Sequence, residues 1–90
     1  MFTLIDEDES TIRMEIELPI GKTNDEILAI AHQEVPYFSK QMFQKDIKLK
    51  GDFPNFIILF LAHYITHTVS SVSILVDDEY IKCIEHQKWI

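Results

Sequence analysis

The chain has 90 residues, of which 47% are hydrophobic, and a formal net charge of −7. This length predicts a single domain, residues 1–90, and so negative a charge excludes a protein that coats DNA or RNA through a basic face. Because the sequence has neither the pattern of a signal peptide nor an apolar run of about 20 residues, we expect no membrane span and no membrane partner.

Alternation of apolar and polar residues predicts the strands. The clearest case is Thr11–Leu18, where four apolar side chains alternate with charged ones. With Phe2–Ile5 it forms a predicted hairpin, and we interpret the acidic segment Asp6–Ser10 between them as a solvated turn. The remaining strands are predicted at Asp46–Lys50, Val69–Val76 and Tyr80–Glu85, the last two joined by a turn at Asp77-Asp78.

A capping-box pattern at Thr23–Glu26 predicts the start of a first helix, which runs to about Gln33. Pro36 follows, as is typical beyond a helix end. His32 falls in the last turn of this helix, where an imidazole interacts favourably with the helix dipole. The next segment, Tyr37–Gln44, fits either a short helical turn or a packed loop.

The segment Pro54–His67 predicts a second helix, which is apolar on nearly every face and therefore buried on several sides. The element order is then β-β-α-β-α-β-β, an α/β domain in which right-handed crossovers place the helices on a central, mostly parallel sheet. So short and apolar a chain leaves hydrophobic surface uncovered, so we expect a homodimer. The one cysteine, Cys83, excludes an internal disulfide and is typical of a cytoplasmic setting.

Two sets of side chains are candidates for chemistry. His63 and His67 lie four residues apart, a spacing that can chelate a divalent metal if Asp77, Asp78, His86 or a second subunit adds ligands. Alternatively, both histidines cap the last carbonyl groups of the helix, and the two aspartates only form a hairpin turn. Ligands of open α/β sheets bind outside the carboxyl ends of the strands, and a helix N-terminus there favours anions. The ligand-binding candidates at that edge are Lys48, Lys50, Gly51, Pro54, Asn55 and Phe56.

The stretch Gly51–Thr68 resembles the small CRISPR-associated ring-nuclease family of type III systems. It has the order Gly-x-x-Pro-x-aromatic, then Phe60-Leu61-Ala62-His63 and, after three residues, His67-Thr68. The family is distantly related to the CRISPR-associated Rossmann-fold sensor domains, which implies an α/β fold and a dimer that can assemble head to tail on its ligand. The resemblance further implies a phosphodiesterase that uses Mn²⁺ or another divalent metal to degrade cyclic tetra-adenylate. Such an enzyme switches off type III CRISPR signalling.

Site roles also follow from the resemblance. It implies catalytic roles for His63, His67 and Asp77 or Asp78, with the two histidines as metal ligands. The arginine residues of the family's motifs are missing here, where Gly51-Asp52-Phe53 replaces Gly-Arg-Gly, so we expect Lys48 and Lys50 to supply the charge that binds phosphate. The expected partner is a cyclic oligoadenylate or short RNA. Two alternatives stay open: a module that binds or sequesters the cyclic nucleotide without cutting it, and a small acidic interaction protein that shares only the fold.

Overall fold

The structure, a computed structural model, describes residues 1–52, 54–65 and 67–86. The elements in these residues are β1 (Phe2–Asp6), β2 (Thr11–Ile16), α1 (Asn24–Met42), β3 (Asp46–Gly51), α2 (Asn55–Ile65), β4 (Ser71–Val76) and β5 (Glu79–Glu85). The prediction of a small α/β domain is therefore confirmed.

The five strands form one mixed sheet in their order along the chain. β3 pairs in parallel with β2 and β4, whereas β1 and β5 pair antiparallel to their neighbours at the two edges. Two right-handed crossovers between successive neighbours place α1 and α2 on the same face of the sheet. The described residues thus form two layers, with both helices on one side.

The core lies between the helices and the sheet, because each strand presents its side chains alternately to the two faces. The residues that β2 and β3 turn toward the helices are at most 3% exposed: Ile12, Met14, Ile16, Ile47 and Leu49. The intervening side chains point to the other face and are polar. We call that surface the polar sheet face, and its residues include Arg13, Glu15, Asp46, Lys48, Lys50, Ser71, Ser73, Tyr80 and Lys82.

The first helix is longer than predicted. α1 continues through Pro36 to Met42, so the prediction that it ends near Gln33 is wrong. Its buried stripe runs across the proline, through Ile27, Ala31, Val35 and Met42. Pro36 itself is exposed, so the helix loses one hydrogen bond to the carbonyl of His32 on its solvent side while keeping its packing. Burial of the stripe outweighs that local cost, and Tyr37–Gln44 becomes mostly helix.

The ends of the helices follow local rules. The predicted capping box closes the start of α1, with the backbone N–H of Glu26 donating to Thr23 Oγ1 at 3.2 Å and that of Thr23 donating to Glu26 Oε1 at 3.1 Å. α2 begins one residue after Pro54, whose carbonyl accepts hydrogen bonds from the N–H groups of Ile57 and Ile58. In the described part of the chain, neither helix combines the length and apolar character needed to cross a bilayer.

Candidate functional site

α2 presents three different sides to its surroundings. Ile57, Leu61 and Ile65 are buried in the core. A second side faces the β4–β5 hairpin, and the third faces α1 and solvent, where Leu59 is 73% exposed. The expectation that this helix is buried on several sides therefore fails on its outer side, because a two-layer domain has no layer to cover it.

A groove of about 520 Å³ opens between α1 and α2 on this outer side. We call it the α1–α2 groove, and it is lined by Leu28 and His32 of α1 and by Phe56, Leu59, Phe60, His63 and Tyr64 of α2. Phe56, Phe60 and His63 share one face of the helix, as their spacing predicts. The groove thus joins an apolar and aromatic wall to two imidazoles.

The aromatic rings fix the positions of these imidazoles. The ring of His32 meets Phe60 edge to face, with 4.6 Å between ring centroids, and lies 6.2 Å from the ring of Tyr64. His63 meets the same tyrosine at 5.9 Å and an interplanar angle of 83°. Edge-to-face contacts of this kind stabilise aromatic pairs by about 0.5–1.5 kcal/mol. Both imidazoles therefore contact one ring, and both belong to exposed residues that a ligand can reach.

His67 does not share a helical face with His63. α2 ends at Ile65, and His67 lies exposed in the turn before β4. The carbonyl of Ile65 accepts hydrogen bonds from the N–H groups of Thr68 and Val69, each at 3.2 Å, and from the Thr68 hydroxyl at 3.3 Å. Thr68 and Val69, and not a histidine, thus cap the last carbonyl of the helix.

The acidic pair Asp77-Asp78 forms the tight turn between β4 and β5. Both residues have left-handed backbone conformations, with φ of 48° and 65°, as a two-residue type I′ hairpin turn requires. This turn follows the carboxyl end of β4, whereas His67 precedes its amino end, so the six-residue strand separates them by roughly 20 Å. His86 follows β5 at the amino end of β4, where its N–H donates to the carbonyl of Ser70 at 3.0 Å.

Lys48 and Lys50 lie on the polar sheet face. Lys48 Nζ donates to Glu7 Oε2 at 3.1 Å and lies 5.1 Å from the centroid of the Tyr80 ring. Lys50 is exposed next to Glu15, its partner in the β2–β3 register. Both lysines alternate with residues buried under the helices, so the sheet separates them from His63. Within one chain, a ligand in the α1–α2 groove does not reach either lysine.

The segment that leads into α2 has a structural role at its glycine. Gly51 pairs with Ile16 and has φ of 126°, and a Cβ at this position would overlap the carbonyl oxygen of Ile16. That oxygen also accepts the backbone N–H of Asp52 at 3.2 Å. Pro54 and Asn55 form the start of the helix, and among the predicted ligand-binding residues Phe56 reaches the groove.

The resemblance implies a divalent metal, for which the described residues of one chain form no ready-made site. Within the ranges that the structure describes, no three His, Cys, Asp or Glu side chains converge as a metal site. A metal held by His63 would therefore depend on donors outside the described part of one chain, from a second chain, from water or from the ligand's phosphate groups.

Reasoning from the sequence did not identify His32 and Tyr64 as site residues. It placed His32 in a last helical turn, whereas the longer α1 puts it in mid-helix, facing α2. One available signal is that Leu28 and His32 lie four residues apart beside the buried stripe of α1.

The α1–α2 groove thus brings residues of the stretch that resembles the ring-nuclease family close to His32, which was not predicted as a site residue. It combines Phe56 and His63 with His32 in a wide, open groove. Comparison of the chain with protein-family models finds no match, and comparison with curated proteins finds none either.

Proposed function

We propose that the chain is a phosphodiesterase that opens a cyclic oligoadenylate, such as cyclic tetra-adenylate, in the α1–α2 groove. The observation that carries this proposal is that Phe56 and His63, both from the stretch that resembles the ring-nuclease family, line one groove. His63 is exposed there, so its imidazole is accessible to a phosphodiester. In a type III CRISPR system this activity would remove the second messenger and end antiviral signalling.

The chemistry of the groove suits an adenine nucleotide. Phe56 and Tyr64 offer accessible aromatic surface, and stacking of a base on such a side chain contributes about 1–3 kcal/mol per base. Histidine is the commonest side chain for proton transfer near neutral pH, and the imidazole of His63 lies beside the ring of Tyr64. Base binding and proton transfer are thus available on neighbouring turns of one helix.

We also propose that the chain acts as a homodimer, because the β4–β5 hairpin leaves apolar side chains exposed beside α2. On the side of α2 away from α1, Ile58 and Ala62 border an apolar cavity of about 100 Å³ against β4 and β5. Val76 and Ile81 of the neighbouring hairpin are 50% and 44% exposed. A second copy seated there would cover this surface and leave the α1–α2 groove open.

Light scattering after gel filtration tests the dimer. We expect the parent chain and a Tyr37→Glu variant, altered at a residue of α1 that is 84% exposed, to elute as dimers. Ile81→Glu should elute as a monomer, because a charge buried in an apolar interface is costly. A monomeric parent chain at tens of micromolar would contradict the dimer.

The activity is tested by incubating the purified chain with labelled cyclic oligoadenylates of several ring sizes, with Mn²⁺ and with a chelator, and separating the products. His63→Gln should lose about 10²-fold or more in single-turnover rate, and Phe56→Ala should weaken binding in calorimetry. A Lys48→Gln/Lys50→Gln variant tests whether the ligand binds at the polar sheet face instead of the α1–α2 groove. Loss of binding in that variant, with binding kept in His63→Gln and Phe56→Ala, would move the site to the polar sheet face.

A second candidate is a module that binds the nucleotide without cutting it. The observation that favours it is the separation of Asp77 and Asp78 from His67 by the length of β4, which leaves these three side chains unable to act together in one chain. Tight calorimetric binding with no product, in Mn²⁺ and in chelator, would select this function. Absence of both binding and cleavage would favour the remaining alternative, a small acidic interaction protein that shares only the fold.

A further inference from the structure

We propose that β1 is an interaction surface for a second copy of this chain, and that two β1 strands pair antiparallel so that two sheets join into one. The pairing involves neither the α1–α2 groove nor the β4–β5 hairpin, so it is independent of the proposed function. Because β1 and β5 are the two edges of the sheet, a copy bound at β1 leaves the hairpin uncovered.

The hydrogen bonds just beyond the two ends of β1 show which of its backbone groups are free. The N–H of Glu17 donates to the carbonyl of Met1 at 2.9 Å, and the N–H of Glu7 donates to the carbonyl of Thr11 at 3.0 Å. Both pairs continue the β1–β2 register, in which hydrogen-bonded pairs alternate with pairs that are not bonded. The odd-numbered residues of β1 therefore bond to β2, and the even-numbered residues direct their N–H and C=O groups away from the sheet. These outward residues are Phe2, Leu4 and Asp6.

The outer edge of β1 is open to a further strand. β1 contains neither lysine nor proline, and its register with β2 is regular from Phe2 to Asp6. Within the described ranges, the outward N–H and C=O groups make no hydrogen bond. β5, at the other edge, differs because its register against β4 shifts between Val72 and Ser73. A regular edge with free backbone groups is a template for strand addition.

The edge of β1 is complementary to itself. Outward residues must face outward residues, and an antiparallel register centred on Leu4 matches all of them. Leu4 faces Leu4 of the second copy, and Phe2 of each chain faces Asp6 of the other. Each facing pair exchanges two hydrogen bonds, which gives about six in total. A register shifted by two residues loses one of these pairs, so the centred register is favoured.

The side chains favour the same register. Leu4 packs against the core, so the two leucines meet on the helix side of the joined sheet. On the polar sheet face, Thr3 of each chain lies opposite Ile5 of the other. The one charged side chain of the strand, Asp6, faces Phe2, so no like charges lie opposite each other. The two-fold axis closes the pair and keeps all the helices on one side of the sheet.

The size of the contact sets its strength. A strand of five residues is about 17 Å long, and its edge buries far less than the roughly 1,200 Å² of a standard stable interface. We therefore expect a dissociation constant on the order of 1 mM. At tens of micromolar the pairing is negligible, so it does not affect gel filtration at that concentration.

The test uses the Ile81→Glu chain, which removes association through the hairpin, at concentrations up to about 1 mM. Sedimentation equilibrium should show a reversible equilibrium between monomer and dimer. Hydrogen exchange followed by NMR should show protection of the Leu4 amide that rises with concentration, while the protection of the Thr3 and Ile5 amides stays constant. Val76→Glu, at the other exposed apolar position of the hairpin, takes its place if Ile81→Glu does not fold.

Two substitutions at Asp6 in the same background form a matched pair. Asp6→Pro removes an outward N–H from an exposed residue without breaking a bond to β2, and should weaken association by about tenfold or more. Asp6→Asn removes the same charge but keeps the N–H, and should associate as the Ile81→Glu chain does. Thermal melts establish that each variant is folded.

Three results would overturn the inference. The first is a chain that stays monomeric at about 1 mM. The second is a dimer in which the Leu4 amide gains no protection, because the contact then lies elsewhere. The third is a folded Asp6→Pro variant that associates as tightly as Asp6→Asn. Each of these results leaves the proposed activity in the α1–α2 groove unaffected.

Discussion

Replacing Gly51 by alanine should destabilise the domain through the backbone of β3. An L-residue held in a glycine-type conformation costs about 1–3 kcal/mol, and Gly51 has φ of 126°. The added Cβ would overlap the carbonyl oxygen of Ile16, so β2 and β3 must separate where Asp52 donates to the same oxygen. Loss of that hydrogen bond adds about 1 kcal/mol. We expect a total near 3 kcal/mol, which corresponds to a fall in Tm of roughly 12–24 °C in a domain of this size.

Gly21→Ala is the matched control. Gly21 also has a positive φ, 78°, but no atom lies within 4 Å of the position of an added Cβ. Alanine at position 21 has only the strain of its backbone conformation, part of which is offset by the reduced entropy of the unfolded chain. The free energy of unfolding should therefore fall by about 1 kcal/mol. Thermal denaturation followed by circular dichroism measures both. Equal shifts in Tm for the two variants would refute the argument that the close approach of Ile16 requires glycine at position 51.

Three further predictions concern single elements. Pro36→Ala should stabilise the domain by about 1–3 kcal/mol in thermal melts, because it restores a hydrogen bond inside α1; a fall in Tm would contradict a continuous helix. Asp77→Asn/Asp78→Gly should stabilise the β4–β5 turn by about 0.5–1 kcal/mol in urea denaturation, because Asn-Gly favours a type I′ turn; the cleavage rate of the same variant reports whether either carboxylate takes part in the reaction. The hydrogen bond from the backbone N–H of Thr23 lowers the pKa of Glu26, so the stability that this carboxylate contributes is present at neutral pH and is lost as the pH falls through the lowered pKa. On acidification, Glu26→Gln should therefore lose less stability than the parent chain does. Identical profiles of stability against pH for the two chains would contradict this.

The strands and the start of α1 were predictable from the sequence because they depend on local patterns. Alternation in Thr11–Ile16 and the capping box at Thr23 each involve neighbours within a few residues. The end of α1 was not predictable, because Pro36 is a local stop signal that loses to the burial of Val35 and Met42 against other elements. That burial depends on the sheet and α2, which spacing along α1 does not encode.

The candidate site was predictable only in part, for a related reason. Spacing along α2 places Phe56 and His63 on one face, and the groove confirms that placement. The alternation of side chains along β3 already places Lys48 on the face of the sheet away from the helices. The order of the elements nevertheless predicts that Lys48 and the N-terminus of α2 lie at the same edge of the sheet. The contact of His32 with Phe60 arises from the packing of two helices, so it required the structure.

The irregularity in the last strand has a consequence for self-association into fibrils. β5 is an edge strand, and its register against β4 shifts between Val72 and Ser73, so Cys83 is an extra residue on β5. Such a bulge bends an edge and increases its twist, and the ion pair of Lys82 with Glu85, at 3.5 Å, adds charge along it. A flat strand from another molecule cannot follow a bent and charged edge with regular hydrogen bonds. β5 is thus a poor template for cross-β growth, even though it lies at the edge of the sheet.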